Sequence, residues 1–238
     1  VTRETIPTVE GPMDVHLARP DREGPFPGVV VVQEAYGVNE HVLDVCARFA
    51  QAGYAALAPE VYHRTSAGLT VPYETPAPAM AELGRLTNDG LEVDLAAALE
   101  RLRNEDGVDP GRVGLVGFCV GGFAAFLGAC RLDPAATVAF YGGGIVHARE
   151  GMRLEPLLDE ADAIDAPLLA LFGAEDASIP DADVAAIRAR LEAAGSGGAV
   201  HVYAGAKHAF FNDCRANYHE AAAADAWQRT LDWFGRYL

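Results

Sequence analysis

Short apolar runs that alternate with amphipathic stretches constrain this chain more than any other feature. GVVVVQ (28–33), YAALAP (54–59), the VGLVGF end of 109–118, ATVAFYG (136–142), PLLALFG (167–173) and AVHVYAG (199–205) are short and nearly all apolar. Such runs fit strands buried on both faces. Between them lie helical patterns: EHVLDVCARFAQAG (40–53), NDGLEVDLAAALERLRNE (88–105), Cys119 to Cys130, PDADVAAIRARLEAAG (180–195) and Asn217 to Leu238. The first ends in glycine, as helices often do, and Pro180 with the acids after it suits a first helical turn. This alternation predicts the α/β class, a mostly parallel central sheet with helices on both faces. MDVHLARP (13–20) alternates weakly and is expected to be an edge strand. Between Glu60 and Thr87 the prolines of PYETPAPAM break the pattern, which predicts a loop or small cap with one short helix. With no repeat, low-complexity tract or linker, one domain over 1–238 is the expectation.

Composition narrows the function classes. Half of the 238 residues are hydrophobic, enough for a sizeable core without disulfides or metals. No run reaches the ~18 apolar residues of a membrane span, and VTRETIPTVEGP lacks the pattern of a signal peptide. A cytoplasmic location with no membrane partner is therefore expected. The net charge is −16, Lys207 is the only lysine, and no basic patch stands out, so nucleic acid is not an expected partner. The four cysteines, at 46, 119, 130 and 214, form no CxxC pair and no cluster with zinc spacing. They read as separate reduced thiols, with Cys46 and Cys130 packed in the core.

GLVGFCVGG (114–122) follows an apolar run and sets Cys119 in a Gly-x-Cys-x-Gly frame. A strand-to-helix turn that forces one side chain into the open needs small neighbours, and Gly117, Gly121 and Gly122 are small. The helix N-terminus beyond Cys119 favours thiolate and oxyanion charge. The N–H of Val120 is the expected oxyanion donor. In this architecture an acid and then a histidine should follow at later strand ends. Asp176 follows PLLALFG, with Glu175 as the rival acid, and His208 follows AVHVYAG. His201 alternates with the strand and is expected on the sheet; His16, His41, His63, His147 and His219 are expected at the surface. Glu34 ends the first long strand in QEAYGVN. A carboxylate there is costly unless used or paired, and Ala35 beside it would offer a second oxyanion N–H.

QEAYGVN, GFCVGG, GAEDASIP and GAKHAFFND together resemble the dienelactone hydrolase family of α/β-hydrolases, the carboxymethylenebutenolidases, over nearly the whole chain. The resemblance implies the α/β-hydrolase fold and a triad of Cys119, His208 and Asp176. It implies that Glu34 contacts the thiol and takes its proton when substrate binds, and that no metal or organic cofactor is needed. It also implies a small ester or lactone as substrate, attacked by thiolate and released through an acyl-thioester. Where the family carries a substrate-binding arginine after the histidine, this chain has Asn212. Before the long central helix it offers only Arg85, and Arg215 could substitute from another place. Tyr36, Tyr141, Asn212 and Arg85 are the candidate substrate contacts. Other readings are a broad carboxylesterase or thioesterase on neutral substrates, a non-catalytic binding protein, and a thiol redox sensor with Cys214 as resolving thiol. Monomer and dimer both remain open.

Overall fold

The computed structural model describes residues 1–195 and 197–238. Eight strands form one sheet: β1 (Thr2–Thr8), β2 (Gly11–Ala18), β3 (Phe26–Val32), β4 (Ala55–Pro59), β5 (Val108–Phe118), β6 (Thr137–Phe140), β7 (Leu168–Gly173) and β8 (Ala199–Tyr203). Their spatial order is β1-β2-β4-β3-β5-β6-β7-β8. From β4 to β8 the pairing is parallel; β1 and β2 add an antiparallel hairpin at one edge. Among the described residues seven α-helices accompany the sheet: α1 (Glu40–Gln51), α2 (His63–Ser66), α3 (Ala77–Leu83), α4 (Asn88–Arg103), α5 (Val120–Arg131), α6 (Asp181–Ala194) and α7 (Glu220–Tyr237), with a 3-10 helix at Leu158–Ala163. Among the described residues no helix is long and apolar enough to cross a membrane.

Two local expectations are corrected. The stretch 13–20 is not an edge strand: β2 lies one place inside, paired with β1 through Thr2↔Leu17 and with β4 through Val15↔Pro59. The true edge strand, TRETIPT, is polar and mostly exposed, so it carries no apolar signal. The segment 60–87 holds two short helices, α2 and α3, where one is expected. The histidines also differ from expectation. The His63 side chain is buried, with Nε2 against Asp94 Oδ1 at 2.9 Å, and His41 is on the buried face of α1. His16 is largely covered and bonds Glu60 at 2.9 Å, and His219 caps α7 through the N–H of Ala222; His147 is exposed. His201 packs its ring on Tyr203, as expected of a sheet residue. Cys46 and Cys130 are buried free thiols.

The register explains where the site forms. Val32 of β3 sits beside Gly117 of β5, and Gly117 beside Ala139 of β6. Two residues further along, the three strands release Glu34, Cys119 and Tyr141 abreast. The chain runs from β3 outward to β4, then crosses back to place β5 on the other side of β3. Such a reversal opens a crevice beyond the carboxyl ends of the strands, where ligands of open α/β sheets bind.

Candidate active site

Cys119 has φ 58° and ψ −116°, between the last residue of β5 and the first of α5. A non-glycine residue here is strained, at a cost of order 1–3 kcal/mol. The turn closes only because its neighbours lack side chains. A Cβ on Gly117 would run into the Gly121 carbonyl, and one on Gly121 into the Val32 carbonyl. Val120 opens α5, so its N–H has no acceptor within the helix. Tyr141 at φ 38° and Ala209 at φ 61° are the other described non-glycine residues in this region of backbone space. One follows β6 and the other follows His208, so all three strained positions meet at the same sheet end.

His208 Nε2 lies 3.2 Å from Cys119 Sγ, and His208 Nδ1 lies 2.7 Å from Asp176 Oδ2. Asp176 is buried and is the acid that reaches His208, while Glu175 is exposed. Ser178 donates its backbone N–H and its hydroxyl to Asp176 Oδ1, at 2.9 and 2.6 Å. Burial alone would lower the His208 pKa. The charge at Cys119 and the hydrogen bonds to Asp176 and Cys119 outweigh it and raise the pKa to about 10. Burial pushes the Asp176 carboxyl up, but His208 and Ser178 hold it below the usual carboxylate range. The arrangement favours an imidazolium facing the sulfur.

Glu34 is buried and held from two sides. Asn212 Nδ2 donates to Oε2 at 2.7 Å, and the Tyr141 hydroxyl donates to Oε1 at 3.3 Å. Burial and the Glu34 charge raise the Tyr141 pKa, so the phenol stays a donor. The Tyr141 ring also packs edge-on to His208, with centroids 5.2 Å apart. Ala35 is buried, and its carbonyl accepts from the buried Tyr62 hydroxyl at 2.9 Å.

The four candidate substrate contacts fall in different places. Tyr141 and Asn212 reach Glu34. Tyr36 packs against Tyr73 with centroids 4.7 Å apart. Arg85 is not brought to the cleft: it is exposed and pairs with Glu82 at 2.7 Å on its own turn. Arg215 is brought there, its guanidinium carbon 5.2 Å from the Tyr36 ring centre and 5.4 Å from that of Tyr73. Tyr73 is a residue that sequence reasoning missed. Its hydroxyl accepts from Asn212 and from Asn39, both at 2.9 Å, tying the 60–87 segment to the Glu34 network. Ser178 was missed too. Its signal was legible, because a serine two residues after an aspartate readily bonds back to it.

The chain is similar to known proteins over nearly its full length. The model of the dienelactone hydrolase family matches residues 13–238. A Synechocystis protein named "Putative carboxymethylenebutenolidase" is 40% identical, covering 98% of this chain and 95% of its own. A Bradyrhizobium protein named "Probable 2-oxo-3-(5-oxofuran-2-ylidene)propanoate lactonase" is 30% identical over 94% of this chain and 89% of its own. The crystal structure of a "Putative Dienelactone Hydrolase" from Klebsiella pneumoniae superposes with a TM-score of 0.88 at 37% identity, covering 99% of this chain and 98% of that one. A strained cysteine elbow, a histidine and a buried aspartate at successive strand ends, and these matches over nearly the full length give one conclusion: this chain belongs to the dienelactone hydrolase family of α/β-hydrolases.

Proposed function

We propose that this protein hydrolyses a small ester or lactone with Cys119 as nucleophile. The observation that carries the reading is the line Cys119 Sγ, His208, Asp176, with gaps of 3.2 and 2.7 Å, set on a strained elbow. The thiolate attacks the carbonyl carbon, and the N–H groups of Val120 and Ala35 receive the oxyanion. The carbon–oxygen bond then breaks; the leaving oxygen takes a proton from His208, leaving an acyl-thioester on Cys119. Water attacks the thioester, gives its proton to His208, and the carbon–sulfur bond breaks to return the thiolate. Asp176, held by Ser178, orients His208. Glu34 takes the thiol proton when the resting cysteine is protonated, and Asn212 and Tyr141 hold its carboxylate in place. All eight strands share one sheet, which supports reading 1–238 as one α/β-hydrolase domain with 60–87 as a strap beside the cleft.

A specific observation favours an anionic substrate. Among the described residues Arg215 has no carboxylate within salt-bridge distance, although the chain carries a net charge of −16. A half-buried guanidinium packed against the rings of both Tyr36 and Tyr73 is preorganised for a planar carboxylate. The Bradyrhizobium relative, by its name, acts on a lactone that bears such a group.

The test is hydrolysis of p-nitrophenyl acetate and of dienelactone by the unaltered protein, Cys119→Ala and Arg215→Ala. Cys119→Ala is expected to lose both activities by about 10³-fold or more. Arg215→Ala is expected to lose dienelactone hydrolysis selectively, through KM. Full activity in Cys119→Ala would exclude the nucleophile proposed here. A protein that cleaves only the neutral ester would point to the broad esterase reading.

A further inference from the structure

A second group of chemically able side chains lies behind the cleft. His41 in the first turn of α1 meets Asp213 and Cys214 in the loop before α7. Nδ1 of His41 is 3.3 Å from Asp213 Oδ1, and Cys214 Sγ is 3.8 Å from the same oxygen. The three donor atoms lie within 4.8 Å of one another, and this is the one such cluster among the described residues. Donors around a tetrahedral zinc ion stand roughly 3.3–3.8 Å apart, as bonds of about 2.0–2.3 Å require. We propose that His41, Asp213 and Cys214 form a binding site for a soft divalent cation of the zinc type, separate from the hydrolytic centre.

Each donor is set for that role. The His41 ring is 97% buried (3% exposed), edge-on to Phe118 and Phe211 with centroids 6.3 and 6.0 Å away. Its Nε2 is buried without a hydrogen-bond partner, so the ring makes its only polar link through Nδ1, on the side of the cluster. Arg48 bonds Asp213 Oδ2 at 3.0 Å, which leaves Oδ1 facing the other two donors. The Asp213 carboxylate beside Cys214 and the Glu40 carboxylate in the same cavity add negative charge around the thiol. That setting attracts a cation. On binding, the thiol proton leaves to solvent and a sulfur–metal bond forms.

An entry path is present. An open cavity of about 580 Å³ is lined by His41 and Cys214, with Asn39, Glu40, Tyr73 and Glu74 around it. It leaves room for water as a fourth ligand. Thiolate with imidazole selects zinc-type ions over magnesium or calcium. The site also touches the catalytic network, since the Cys214 N–H donates to Asn212 Oδ1 at 3.0 Å and Asn212 holds Glu34.

The test removes the elbow thiol first, because Cys119 and His208 are themselves a thiol–imidazole pair. Chelator-treated Cys119→Ala protein is titrated with Co²⁺ and the thiolate-to-cobalt charge-transfer absorption is recorded, followed by displacement with Zn²⁺. The expected result is one equivalent of Co²⁺ bound with that band, displaced by Zn²⁺. The band should vanish in Cys119→Ala/Cys214→Ser, and affinity should fall at least about tenfold in Cys119→Ala/Asp213→Asn. Both altered residues are exposed, and circular dichroism checks that each variant folds. A Cys119→Ala protein without the band, or a band that survives Cys214→Ser, overturns the proposal.

Discussion

Two histidines of this molecule pair with an aspartate through Nδ1, and they end in opposite states. His208 meets Asp176 at 2.7 Å and is raised to about 10; His41 meets Asp213 at 3.3 Å and is lowered. Burial pulls both downward first. At His208 the charge of Cys119 on the far nitrogen and the fully buried Asp176 carboxylate reverse that pull. At His41 the far nitrogen has no partner, and the Asp213 side chain is 44% exposed and shared with Arg48. An Asp–His pair alone therefore does not fix the direction in which the histidine's pKa moves. What stands on the other ring nitrogen, and how well the carboxylate is shielded, decides.

The sharpest way to break this comparison is to change both pairs alike. His208→Gln and Asp176→Asn are each expected to lower kcat/KM for an activated ester by about 10²–10⁴. His41→Gln and Asp213→Asn should stay within about threefold, with His41→Gln instead costing about 1–3 kcal/mol of stability in urea melts. Comparable losses of activity from both pairs would merge what the geometry separates.

The next effect is on pH dependence, where the two histidines have opposite signs. The folded pKa of His208 lies above its ordinary value of 6.5, so its imidazolium stabilises the fold in full below about pH 6.5. That contribution is lost as the pH rises through about 10. His41 is depressed, so folding favours its neutral form and stability is lost as the pH falls below 6.5. Urea midpoints from pH 5 to 10 should show both limbs. Cys119→Ala should flatten the alkaline limb and His41→Gln the acid one; the reverse assignment would refute it.

The smallest effect concerns the shielding of the carboxylate. Ser178→Ala removes the hydroxyl donor to Asp176 and keeps the backbone one. Losing one hydrogen bond to a charged group, about 1.5 kcal/mol, predicts a roughly tenfold drop in kcat. The acid limb of the kcat–pH profile should move upward with it, and Ser178→Thr should restore both. A drop with no shift of the profile would mean that Ser178 acts on packing alone.

Much of the site was legible in the sequence because its signals are local. The elbow shows as glycines around Cys119, where any Cβ would strike a neighbouring carbonyl. Asp176 and His208 show as polar residues directly after apolar strands. Arg85 failed as a contact for a local reason also: Glu82, three residues before it on α3, holds it away. What stayed hidden depends on distant pairings. TRETIPT carries no apolar stripe, yet the β2 partner makes it a strand. Tyr73 is joined to Glu34 through Asn212, 139 residues away, and His41 is buried by aromatics from β5 and the loop beyond β8.

The sequence by itself determined the alternation of strands and helices, the strained turn at Cys119 and the placing of Asp176 and then His208 at later strand ends. Each rests on hydrophobic periodicity or on steric limits between near neighbours, which the linear order of residues already contains. Only the tertiary structure decided which arginine stands at the cleft, which histidines are buried, and which thiol faces an imidazolium and which faces carboxylates. Those outcomes depend on charge and burial, and both are set by residues that only the sheet register and the packed helices bring together.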